Sequence, residues 1–141
     1  MSDNSSGNGG GNGLISIRCE HPVKETTDQL ASIVEAAGMA VFARVDHAAG
    51  AVSVGMELRP TELLIFGNPR GGTPLMQDQQ TAGIDLPLKA LVWEDADGTV
   101  QLSYNAADWI AQRHGLGPHS QQAVEAIARG LAAVTAKAAT S

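Results

Sequence analysis

Two β-rich runs, Leu86 to Glu94 (LPLKALVWE) and Thr99 to Tyr104 (TVQLSY), stand only four residues apart. That spacing constrains the fold of this chain more than any other feature. The four residues are Asp95-Ala96-Asp97-Gly98, and an Asp-Gly step between such runs signals a hairpin. Hairpin strands are antiparallel, whereas a parallel pair needs a long crossover connection. The sheet is therefore expected to be largely antiparallel.

The other segments fit around that hairpin. Ile15 to Ile17 alternates as a strand, which Pro22 stops. In TTDQLASIVEAAGM, Leu30, Ile33, Val34 and Ala37 fall at helical spacing. Thr26 or Thr27 is placed to cap that helix and Gly38 to end it. Val41, Ala43 and Val45 share one face of a strand from Ala40 to His47, with Phe42, Arg44 and Asp46 on the other. Ala48 to Met56 reads as a loop or a turn of helix, and Glu62 to Gly67 as a buried strand. The loop Asn68-Pro69-Arg70-Gly71-Gly72-Thr73-Pro74 leads to a helix capped by Thr73 and running to about Ala82. Asn105 is placed to cap a helix to His114, which Gly115, Gly117 and Pro118 end. A last helix from His119 or Ser120 carries Val124, Ile127, Leu131 and Val134 as a stripe. The order β-α-β-β-α-β-β-α-α breaks strict alternation twice, which favours an α+β sheet over a doubly wound one.

At 141 residues the chain is about one domain long. Residues 1–13 hold no apolar side chain after Met1 and are expected to form a disordered tail, leaving 14–141 as a single domain. The formal net charge is -6 and the nine Lys and Arg residues are scattered, which argues against nucleic acid. Five aromatic residues are too few for a base-stacking surface. No apolar run reaches membrane-spanning length and no secretory leader is visible, so a soluble, cytoplasmic protein is expected. The lone Cys19 excludes an internal disulfide. Cys19 and His21 can share a strand face as a nucleophile pair, although a free cysteine commonly behaves as a small hydrophobe.

Several strings carry a resemblance: Phe42-Ala43-Arg44-Val45-Asp46-His47, Leu58-Arg59-Pro60-Thr61-Glu62-Leu63, and Phe66-Gly67-Asn68-Pro69 with Gly72-Thr73-Pro74-Leu75-Met76. Asp85-Leu86-Pro87-Leu88 and Val92-Trp93-Glu94-Asp95 complete the set. In these the chain resembles the bacterial and archaeal domain of unknown function 302 family over roughly Ser16 to Ala138. The resemblance implies a TATA-binding-protein-like α+β fold, a curved antiparallel sheet backed by helices and often dimeric. It implies no accepted activity.

The residues that carry chemistry are Asp46, His47, Asn68, Arg70, Met76, Asp85 and Lys89. His47 at a strand end suits a general base or a metal ligand, or simply a side chain that satisfies loop backbone. The loop around Asn68 and Arg70 resembles a phosphate cradle, but Pro69 and Pro74 each remove a backbone donor and favour a rigid turn. Met76 with His47 is a soft-metal or haem ligand pair, or else Met76 fills core space. Asp85 and Lys89 are expected to lie on one side of a strand, where they can pair. The first expectation is a homodimeric binding protein holding a small ligand, metal or cofactor near His47, Asn68, Met76 and Lys89. The apolar last helix or an edge strand would form the dimer surface. The alternatives are a structural or adaptor module and a small hydrolase or isomerase with His47 as base.

Overall fold

The computed structural model describes residues 11–141; the first ten residues of the expected tail lie outside it. Its elements are β1 (Leu14–Cys19), α1 (Val23–Ala36), β2 (Ala40–Asp46), α2 (His47–Ser53), β3 (Thr61–Gly67), α3 (Pro69–Asp78), β4 (Leu88–Glu94), β5 (Val100–Asn105), α4 (Ala107–His114) and α5 (Gln121–Thr140). Short 3-10 turns cover Gln80–Asp85 and Pro118–Ser120. The strands form one sheet in the order β1-β5-β4-β3-β2, with every neighbouring pair antiparallel.

The β4–β5 hairpin forms where the sequence places it. The Asp95 carboxylate accepts from the N–H groups of Asp97 and Thr99 at 2.9 and 3.0 Å, and Gly98 takes φ +82°. Strand alternation then divides the sheet into two unlike faces. Ile15, Leu64, Phe66, Val92 and Leu102 point under α1 and α5 and are buried. Leu63, Ile65, Leu91 and Trp93 point the other way and are only partly covered. The apolar stripe of α5 is spent inside this core.

Several local expectations are corrected. The α1 helix starts at Val23, after Pro22, and neither threonine caps it. Thr27 instead lies buried inside the helix, its hydroxyl donating to the Val23 carbonyl at 2.9 Å. Residues 69–74 are helical because Asn68 accepts from the Arg70 N–H at 2.9 Å and Pro69 fits the first turn. Pro74 therefore sits inside α3, with no N–H to offer the Arg70 carbonyl. Asn105 is the last residue of β5, and α4 has no side-chain cap. The ambiguous stretch after His47 is α2, capped by Asp46, whose carboxylate accepts from the Ala49 N–H.

Candidate functional site

The expected pocket residues lie on both sides of the sheet. Asn68 and Met76 line a cavity on the helix side, at the end of β3 and the start of β4 and between α3 and α5. Its volume is about 390 Å³, and its walls include Phe42, Phe66, Leu86, Ile127 and Leu131. The lining is almost wholly apolar, with Asn68 and Thr73 as its polar side chains. His47 and Lys89 lie instead on the open face, beside a recess of about 360 Å³ that includes Leu63, Leu91, Trp93 and Ser103. His47 and Met76 therefore do not meet as a ligand pair. Among the described residues, no group of three or more His, Cys, Asp and Glu side chains is arranged to hold a metal ion.

Four glycines border the cavity: Gly67, Gly71, Gly72 and Gly130. None of them has a positive φ, so the backbone conformation does not demand glycine there. A Cβ on Gly130 would meet nothing within 4 Å, and one on Gly71 would come no nearer than 3.8 Å to Ile127. Glycine inside a helix costs roughly 0.5–1 kcal/mol relative to alanine. Here it leaves open space beside the apolar wall.

Asp85 does not pair with Lys89, because it lies in the 3-10 turn before β4 begins. Its carboxylate accepts from Arg113 Nη1, at 3.0 Å to each oxygen, and lies 2.6 Å from His114 Nε2. The other ring nitrogen of His114 is 3.0 Å from the Thr81 hydroxyl. Both imidazole nitrogens thus tie the 3-10 turn to the end of α4, while the Arg113 guanidinium stands 5.7 Å from the Trp109 ring centre. This clamp escaped the sequence reading. The only signal for it was a histidine at a helix end, whose partners lie about thirty residues upstream. It steadies the segment that carries Leu86 and Pro87 into the cavity wall.

The remaining candidates have simpler surroundings. Arg70 is exposed and does not line the cavity. The Asp46 carboxylate caps α2 and so does not orient His47. Lys89 donates to the Pro87 carbonyl at 2.8 Å, and burial holds its ammonium pKa below the usual lysine range. Cys19 is buried, and desolvation pushes its thiol up to about 11, the opposite of an activated nucleophile.

These features define a class: an antiparallel α+β protein with helices massed on one face and a glycine-walled apolar cavity beneath them. The chain belongs to the family described as Domain of unknown function DUF302, which matches residues 15–134. A crystal structure of an uncharacterized conserved DUF302 protein from Bacillus stearothermophilus shares the fold at TM-score 0.79 and 17% identity, covering 89% of this chain and 98% of that one. In sequence, the chain is 50% identical over 127 residues to proteins named fluoride-specific ion channel FluC 1 from Brucella suis and Brucella abortus. That match takes in 90% of this chain but only 50% and 47% of those proteins, so the chain spans about half their length. Among the described residues, no helix is long and apolar enough to cross a membrane.

Proposed function

We propose that this protein is a non-enzymatic binding module that takes a small, mainly apolar molecule into the cavity between α3 and α5. The observation that carries the reading is a cavity of about 390 Å³ with an apolar lining and glycines at its edge. Apolar clefts of ~300–1,000 Å³ with a few polar groups are the common form of small-ligand sites. Asn68 and Thr73 would orient the polar end of the ligand, with Met76 adapting to its shape.

Native mass spectrometry of the untagged chain, followed by titration with 1-octanol, tests this reading. Retained mass or saturable octanol binding is expected in the wild type. Gly130→Leu should abolish either by filling the space. A ligand at a hundred times its Kd should also stabilise the fold by about 2.7 kcal/mol. A bare chain that ignores octanol, or a Gly130→Leu variant that binds as before, would overturn the reading.

A second reading is favoured by the Brucella relatives, in which about half of a protein named as a fluoride channel matches this chain. In this reading the module is an adaptor, cytoplasmic and homodimeric, that acts beside a membrane partner. Its docking surface would run from Phe42 to Leu58, where Val52, Val54 and Met56 are 65–70% exposed. Sedimentation of the wild type against Met56→Glu tests the homodimer, since only the wild type should sediment as a pair.

A further inference from the structure

The open face of the sheet carries chemistry that the apolar cavity lacks. Leu63 and Leu91 are cross-strand partners there and form an apolar floor. Trp93 lies beside them, its indole N–H donating to Ser103 Oγ at 2.9 Å, and Ser103 Oγ is 2.6 Å from Ser16 Oγ. This chain of hydrogen bonds satisfies the polar edge of the indole and holds the ring in place. What Trp93 offers a ligand is therefore its apolar surface.

Lys89 projects from β4 on the same face, opposite Ile65. Among the described residues, no carboxylate oxygen lies within 4.0 Å of its ammonium. Asp85 acts on it only from farther away, with its oxygens committed to Arg113 and His114. The Lys89 side chain is partly covered, and its ammonium has one carbonyl as its hydrogen-bond partner among the described residues, so it keeps donors free for an incoming anion. His47 lies on the same recess and adds a second donor.

We propose that this recess binds a small aromatic carboxylate, the carboxylate held by Lys89 and His47 and the ring laid against Trp93 and the Leu63–Leu91 floor. The single lysine of the recess matches a single negative charge. A doubly charged phosphate would need more donors in a chain whose net charge is -6.

Phenylacetate and its neutral amide, phenylacetamide, are the probes, followed through the two indole N–H signals and the methionine methyl signals of the full chain near neutral pH. The acid should shift the Trp93 indole signal and leave that of Trp109 in place. It should bind at least about tenfold more tightly than the amide, a difference of about 1.4 kcal/mol. Lys89→Met should erase that preference, and Lys89→Arg should keep it. Equal binding of acid and amide, an unchanged preference in Lys89→Met, or no binding up to about 10 mM would each overturn the proposal. So would a shift at Met76 in place of Trp93, which would put the acid in the cavity on the other side of the sheet.

Discussion

The two faces of the sheet are built from alternate residues of the same five strands, yet their surroundings differ. Under the helices, Leu64, Val92 and Leu102 are wholly buried. On the opposite face their chain neighbours Leu63 and Leu91 floor an open recess, with Trp93, Lys89 and His47 around it. The helix side concentrates apolar burial, the main source of folding free energy, and encloses an apolar cavity. The open side contributes less to stability and keeps polar and cationic groups within reach of solvent. Moving a side chain by one position along a strand transfers it from one regime to the other.

The largest expected effect separates the faces directly. Leu102→Ala removes a wholly buried side chain and should cost about 2–5 kcal/mol. Leu91→Ala, on the open face, should cost about 1 kcal/mol. Urea denaturation read by circular dichroism measures both. Equal losses would mean that the open face is covered in solution and the two faces are not unlike in burial.

A smaller effect sharpens the contrast at the β2 edge, where the helix-side face is not purely apolar. Glu62 is 8% exposed, and its carboxylate accepts from Arg44 Nε at 2.7 Å; Arg44 Nη1 also reaches Asp28 of α1 at 2.6 Å. Arg44→Met strands the Glu62 charge. Because the Arg44 side chain is still 32% exposed, the cost should be about 1–3 kcal/mol, less than for a fully buried pair. Adding Glu62→Gln to that variant should recover part of the loss, and a further loss would show that Glu62 is held by something besides Arg44.

Most of the fold was legible because it rests on short-range signals. The Asp95–Gly98 hairpin, the apolar spacing of Leu30 and Val34, and the stripe from Val124 to Val134 each lie within one turn or one element. Cap positions were less legible, since Thr26, Thr73 and Asn105 are all competent caps and the choice among candidates is made by tertiary packing. The site is the least legible part. His47 and Met76 are both good ligand types, but a sheet stands between them. The Thr81–His114–Asp85 clamp depends on pairing between distant elements, which spacing along the chain does not encode.

The smallest effect concerns two carboxylates that fasten connections at opposite parts of the fold. Asp78, at the end of α3, accepts from the Ser120 hydroxyl at 2.7 Å and the Gly117 N–H at 2.9 Å, and these bonds lower its pKa below 3.8. Asp95 in the hairpin is lowered by the Thr99 N–H first, then by Gln101 and Asp97. In each case the folded carboxyl binds a proton less readily than the unfolded chain does. The stability it contributes is present above 3.8 and is lost as pH falls through the lower folded value. Asp78→Asn keeps an oxygen that accepts both bonds but removes the titration. Its urea midpoint should therefore fall less steeply below pH 4 than that of the wild type. Superimposable curves would locate the acid sensitivity elsewhere, with Asp95→Asn as the next variant to separate the hairpin from the helix layer.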